Sequence, residues 1–357
     1  MKIISTALLS FGLSGRAFHA PFILAHPGFE LAGAWERNEK RLKQSYPSGK
    51  SFETIEEILD DQSIELVVIN TPTFTHYEYA FRALEAGKNI IVEKAFTTSV
   101  AEAKSLRSLA EKQGKMLAVY QNRRWDSDFL TVQQFVESKF LGEIVDAEIR
   151  FERFKPELSP KRHKEEPNPG AGLLMDLGPH IIDQALVLFG MPESLKADLR
   201  ITRPGSQVDD WFDINLYYPG LKVRLKSSLM EKVPGSAYNI KGTKGSFLKS
   251  RADVQEADLL KGLMPGIPGW GEEPDCEKGL LSYSAEGKSV QQKVDSIKGN
   301  YMEFYNGIYS ALTENVAVPV TADDGIHVMT LIEAARASDM SGKIVNLEAS
   351  SKRDSSR

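Results

Sequence analysis

Lys94 and His180 are the residues of this sequence best suited to chemistry. Lys94 closes the run KNIIVEK, where an apolar stretch meets two charges. Charges rarely end a core strand unless they are solvated, paired or used. A lysine there donates a hydrogen bond to a substrate oxygen, and its positive charge stabilises the alkoxide that develops as hydride leaves the adjoining carbon. Glu93 stands beside it, a brace for the lysine or for a nearby cofactor loop. A proton acceptor is also needed. Of the six histidines, His180 stands out in GAGLLMDLGPHIIDQAL, four residues after Asp176. On a continuous helix the two share a face, about 6 Å apart along the axis. Asp176 then holds the charge and tautomer of His180, although the same spacing also occurs in purely structural helix pairs. Asp183, three residues further on, either assists or faces solvent.

Hydride chemistry needs a carrier. The first turn, SFGLSGRAFHAP, carries Ser10-x-Gly12-x-x-Gly15. Gly12 allows backbone to approach a pyrophosphate, Gly15 allows close strand–helix packing, and Ser14 belongs to the turn into a helix whose free N–H groups suit phosphate. Ser10 stands where the usual fingerprint has its first glycine, so the turn alone is weak evidence. The second candidate strand ends about 20 residues later, at Trp35-Glu36-Arg37, the separation this fingerprint requires. Glu36 suits the ribose 2′-hydroxyl of NAD, and Arg37 suits the 2′-phosphate of NADP. The choice stays open, and the expected cofactor is NAD(P).

These residues need elements to carry them. In the first third, short apolar runs alternate with segments of helical period. The strand candidates are residues 3–9, 29–35, 64–70, 89–93 and 115–121. Runs apolar on both faces and separated by helices predict a parallel sheet covered on both sides, that is, an N-terminal doubly wound Rossmann unit. Ligands of such a sheet bind beyond the carboxyl ends of its strands, where the glycine turn, NTPTFTH (70–76), Glu93-Lys94 and QNRRWD (121–126) all fall. After Tyr120 the rhythm changes. One helix is expected over 126–140 and another over 175–189, with later helices at 301–314 and 323–341. Between them SLKADLRIT, DWFDINLYY, KVRLKSSLM, SAYNIKG and SFLK follow one another without long helices. That order predicts an α+β unit with a large, mostly antiparallel open sheet. The expected division is a cofactor-binding domain over 1–122, a substrate-binding and oligomerisation domain over 123–348 and a polar tail over 349–357.

Composition sets the outer limits. A chain of 357 residues with 41% hydrophobic and 26% charged side chains builds a globular core. A net charge of −5 argues against a sequence-independent nucleic-acid binder. The one cysteine, Cys276, excludes an intrachain disulfide framework and a cysteine-built zinc site, and it suits the cytoplasm. No metal is expected, and no membrane span. The N-terminal run MKIISTALLSFGLSGRA has the composition of a signal peptide, but the glycine turn that follows favours a first strand. The loop from Phe154 to Gly170 holds Lys155, Lys161, Arg162, His163 and Lys164. It is either a solvated basic loop or a contact for substrate, with His163 the candidate.

In combination the motifs resemble the Gfo/Idh/MocA oxidoreductases. They are Ser10-x-Gly12-x-x-Gly15, NTP-x3-His76, Glu93-Lys94 and Asp176-x-Gly178-x-His180, in the family's order. FHAPFI (18–23), VYQNRRWDSDFLTV (119–132), LGPHIIDQALVLFGMP (177–192) and KGNYMEFY (298–305) are similar to the scyllo-inositol-dehydrogenase-like branch, so the resemblance covers nearly the whole chain. It implies hydride transfer between NAD(P) and a secondary alcohol of a cyclic polyol or sugar. It makes Lys94 the contact to the reacting hydroxyl, His180 the acid/base and Asp176 its partner. It puts Thr71, Pro72 and His76 in a loop beside the cofactor, Asn122 and Arg123 near nicotinamide and substrate, and Trp125 and Tyr301 at the substrate pocket. It also implies a homodimer or homotetramer. Relatives that run an NAD-dependent glycosidase cycle, and non-catalytic sensors of the same fold, are the alternatives. One departure carries an expectation. Ala95 stands where the family has proline, and a cis peptide before a residue other than proline costs roughly 2.5–4 kcal/mol, so Lys94–Ala95 is expected to be trans.

Overall fold

The structure is a computed structural model that describes residues 1–36, 39–47 and 49–347. The chain divides into two compact units. The first comprises residues 1–127, 253–272 and 298–329, and the second 128–252, 273–297 and 330–357. The expected boundary near residue 122 thus compares with Ser127, and two later segments belong to the first unit.

The first unit is built on six parallel strands: β1 (Ile4–Leu8), β2 (Phe29–Trp35), β3 (Lys50–Phe52), β4 (Leu66–Ile69), β5 (Asn89–Glu93) and β6 (Leu117–Tyr120). Their order, β3-β2-β1-β4-β5-β6, is that of a doubly wound dinucleotide fold. The N-terminal run therefore forms the strand that borders the point where the sheet order reverses. Ile4, Val67, Val68, Ile90, Ile91 and Val92 are all fully buried, as strands covered on both faces require. Only β3, three residues long and at the edge, went unpredicted: KSF is too short to show a period.

The second unit carries nine strands: β7 (Ile144–Glu152), β8 (Ser194–Arg200), β9 (Trp211–Tyr218), β10 (Leu221–Ser228), β11 (Tyr238–Gly242), β12 (Gly245–Lys249), β13 (Gly279–Ala285), β14 (Lys288–Val294) and β15 (Val345–Asn346). Their order is β14-β13-β12-β11-β7-β10-β9-β8-β15. The β7–β10 pair is parallel and the other pairs are antiparallel, so the sheet is mixed but mostly antiparallel, as expected. Strands β13, β14 and β15 were not expected: KSVQQKV of β14 is mainly polar and β15 has only two residues, while GLLSYSA of β13 carries little alternation. The helix Gly178–Phe189 lies on β7 and β10.

The expected helix over 175–189 is interrupted. Leu173–Asp176 forms one short turn, and Gly178–Phe189 starts anew with Pro179 in its first turn. Proline lacks an N–H and suits a helix start. The continuous face assumed for Asp176 and His180 is thereby corrected. No helix among the described residues is long and apolar enough to cross a membrane. The expected tail 349–357 lies outside the described residues.

Candidate active site

The turn after β1 is shaped for a dinucleotide. A Cβ on Gly15 would lie 2.3 Å from Ser10 O and 3.1 Å from Asn70 Nδ2, so only glycine fits. Ser10 does not merely replace the missing glycine. Its Oγ accepts the Gly12 N–H at 3.2 Å and closes the turn. Asn70, just after β4, donates Nδ2–H to Ser10 O at 2.8 Å, while its buried Oδ1 has no partner. Buried polar atoms are normally satisfied, so an orphan here is an acceptor left for a ligand. A cleft of about 370 Å³ opens at this turn, lined in part by Phe11, Gly12, Glu36, Thr71, Pro72 and Tyr79. These residues fit an NAD(P) cofactor, with Gly12, Thr71 and Pro72 among those that would hold it.

Glu36 also lines the cleft, but its carboxylate is engaged by the protein. It accepts the N–H of Arg41 at 2.8 Å, the N–H of Leu42 at 3.2 Å and the hydroxyl of Ser51 at 2.9 Å. Arg37 lies outside the described residues.

Glu93 ends β5 and Lys94 follows it, and Glu93 is a buried hub. Its Oε1 accepts the Ser14 hydroxyl and faces His19 Nε2 at 3.1 Å, and its Oε2 accepts the Lys94 backbone N–H at 3.2 Å. His19 Nδ1 lies 2.7 Å from the Tyr305 hydroxyl. Burial acts to raise the Glu93 pKa, but the hydrogen bond and charge of His19, then Ser14 and Lys94, together hold it below its ordinary value. The carboxylate is therefore ionised at neutral pH.

His76 is fully enclosed, with Nδ1 2.8 Å from Ala95 O and Nε2 2.9 Å from Thr71 O. Burial lowers its pKa, against the two carbonyls and Glu93, which act upward. His76 thus ties the loop 71–76 to the residue after Lys94. The Lys94–Ala95 peptide is cis, not trans as expected. Ala95 is buried and its carbonyl is fixed by His76, so the backbone path is specified by tertiary contacts that do not depend on a proline ring.

At the end of β6, Asn122 is buried and Trp125 is half-buried against Phe304. Arg123 is buried in ion pairs with Asp126, at 3.2 Å, and Glu256. Tyr301 is fully buried and donates its hydroxyl to Asp126 Oδ1 at 2.6 Å. Arg123 and Tyr301 thus meet in one internal polar cluster.

In the second unit His180 is buried on the helix Gly178–Phe189, its ring 6.2 Å from that of Phe151 on β7. Asp183 is buried too. Asp176 pairs with Lys164 of the basic loop, Nζ to Oδ2 at 3.0 Å, with both side chains 43% exposed. His163 is half-buried, and burial, then Lys164 and Lys161, lower its pKa. The loop is anchored by buried Arg203, which binds Glu157 O at 3.1 Å, Glu165 Oε2 at 2.8 Å and Asp210 Oδ2 at 3.0 Å. Among the described residues no group of three or more His, Cys, Asp or Glu is placed to hold a metal.

Sequence reasoning missed His19, Tyr305, Asn70 and Ser51. His19 and Tyr305 stood inside FHAPFI and KGNYMEFY, but a single sequence gives no sign that residues 286 apart share a hydrogen bond.

Comparison with known proteins agrees with this architecture. The model described as an oxidoreductase family, NAD-binding Rossmann fold, matches residues 4–121. The model described as an oxidoreductase family, C-terminal alpha/beta domain, matches residues 133–347. The chain is 33% identical to the Bacillus subtilis scyllo-inositol 2-dehydrogenase (NADP(+)) IolW, over 97% of this chain and 96% of that protein. It is 37% identical to the uncharacterized oxidoreductase YdgJ of Escherichia coli, over 92% and 94%. A solved oxidoreductase structure from Bacillus cereus superposes with a TM-score of 0.89 at 31% identity, covering 98% of this chain and all of that one.

Proposed function

Because the chain belongs to the Gfo/Idh/MocA oxidoreductase family, we propose that it moves hydride between NAD(P) and a secondary alcohol carbon of a cyclic polyol or sugar. The observation that carries this reading is the position of Lys94. It follows a strand end in a sheet of dinucleotide-binding order, and its backbone shares Glu93 with the glycine turn. The likeness to an inositol dehydrogenase over nearly the whole chain supports the polyol class.

When bound, the nicotinamide accepts or returns the hydride. In oxidation the His180 imidazole takes the hydroxyl proton as general base, and Asp176 acts on the orientation of substrate and imidazole. Lys94 Nζ hydrogen-bonds the same oxygen and stabilises its developing negative charge. Reduction returns the proton from His180. Gly12, Ser14, Gly15, Glu36, Thr71, Pro72, His76, Glu93 and Asn122 shape the cofactor side, and Trp125 and His163 are assigned to substrate. We extend the reading to a homodimer or homotetramer working in the cytoplasm, which molecular mass in solution and cell fractionation test.

Lys94→Met and His180→Ala should each lower turnover of the best polyol by about 10²- to 10⁴-fold while NAD(P)H binding, followed by fluorescence, persists. Wild-type turnover in both variants refutes the assignment. Tightly retained cofactor without net oxidation of any polyol or sugar would point to the glycosidase cycle instead.

A further inference from the structure

The Glu93 hub holds a buried histidine that the proposed chemistry does not use. Gly15–His19 is a π turn, closed by the Ala20 N–H on Gly15 O, and it continues into the helix Ala20–Ala25. Such wider turns recur at functional sites. This one contains Gly15, starts next to Ser14 and ends on His19, which is fully buried. The His19 ring lies 4.4 Å from that of Tyr120, and the Tyr120 hydroxyl donates to Phe18 O at 2.6 Å, so the ring has little freedom to move.

The carboxylate fixes one proton of the chain. An ionised Glu93 can only accept, so His19 Nε2–H donates to its Oε1, while His19 Nδ1 pairs with the Tyr305 hydroxyl. Glu93 then receives donors from three places: Ser14 at the glycine turn, His19 at the end of the π turn and the backbone N–H of Lys94. The phosphate-binding turn and the lysine that follows β5 are thus fastened to one carboxylate, and His19 braces that carboxylate from the buried side.

We propose that His19 is a positioning residue for hydride transfer: backed by Tyr305, it orients Glu93 so that the glycine turn and Lys94 are set in register with one another. The proposal rests on the assignment of Lys94 to the substrate oxygen. A loss of register of about 1 Å is enough to slow a reaction about 100-fold without loss of the groups themselves.

The test compares His19→Ala, His19→Gln and Tyr305→Phe with wild type for turnover, NAD(P)H affinity and melting temperature. Glutamine keeps one donor and one acceptor, whereas alanine keeps neither. His19→Ala should lower kcat about 10- to 100-fold with cofactor Kd changed less than about threefold, and His19→Gln should recover most of the loss. Tyr305→Phe, which keeps the ring and removes only the hydroxyl, should lower kcat by a smaller factor, and it decides the matter if His19→Ala does not fold. Wild-type kcat in Tyr305→Phe and His19→Ala overturns the proposal. So does a His19→Gln variant that melts like wild type yet is as slow as His19→Ala. If wild type itself turns over no polyol or sugar, the reaction assignment has failed, which is a different result from unaffected variants of an active enzyme.

Discussion

The end of β5 and the segment from Lys161 to His180 carry the two groups assigned to the reacting hydroxyl, and they are held in opposite ways. Glu93 ends, and Lys94 follows, a strand buried on both faces. The Glu93 carboxylate meets Ser14, His19 and a backbone N–H there. Asp176 ends a short turn and meets Lys164 across a pair whose side chains are both 43% exposed. A buried carboxylate with its donors in place resists distortion, because each donor left unpaired costs about 1–3 kcal/mol. An exposed pair is screened by water, and such pairs contribute about 0–1 kcal/mol. The surroundings of Glu93 are therefore fixed by buried hydrogen bonds, while the basic loop is held by its buried anchor at Arg203 and gains little from the exposed Asp176–Lys164 pair.

The largest effect expected from breaking this contrast is in Glu93→Leu. It removes the acceptor from three donors at once, and should cost about 3 kcal/mol or more in denaturant-measured stability. Turnover should fall about 100-fold. A stability loss under about 1 kcal/mol would show that the hub is not what holds this region. Next comes Gly15→Ala, whose new Cβ meets backbone at 2.3 Å. It should weaken NAD(P)H binding about tenfold or more, equivalent to about 1.4 kcal/mol, in a fluorescence titration.

The pH dependence is smaller and its sign follows from burial. The His76 pKa is lowered from an ordinary 6.5, so its contribution to stability is fully present above that value and is lost as pH falls below it. The Glu93 pKa is lowered from an ordinary 4.5, so its contribution is present above 4.5 and is lost as pH falls through the lower native value. The denaturation midpoint should drop by the equivalent of about 1 kcal/mol between about pH 7 and about pH 5, and His76→Gln should flatten that slope. An unchanged slope in the variant would remove His76 from the account. Last, Lys164→Ala should leave stability within about 0.5 kcal/mol of wild type, the pair being exposed and solvent-screened. A loss above about 2 kcal/mol would put the two regions on the same footing and end the comparison.

Much of the first unit was legible because its signals are local. A strand apolar on both faces, a glycine turn and an acid about 20 residues on all lie within one strand-helix-strand unit. The interruption near Leu177 is also written locally, in Gly178-Pro179, because proline suits a helix start and not its interior. Glu36 shows a different limit. It follows β2 as expected, yet its hydrogen bonds to Arg41 and Leu42 depend on the short helix Arg41–Ser45, and its bond to Ser51 on the return of the chain through β3, which has no visible period. Tyr301 and Arg123 were expected at a pocket. Their shared cluster with Asp126 and Glu256 joins segments more than 100 residues apart.

By itself the sequence determined the doubly wound sheet, the mostly antiparallel second sheet, and the positions of Gly12, Gly15, Lys94 and His180 along their elements, because periodicity and turn chemistry act over a few residues. The tertiary structure alone decided what Glu93 binds, that His19 and Tyr305 stand behind it, and that the Lys94–Ala95 peptide is cis without a proline. The His19 contacts span 74 to 286 residues of chain and the His76–Ala95 contact spans 19, and packing, not local preference, sets the geometry where such contacts are buried.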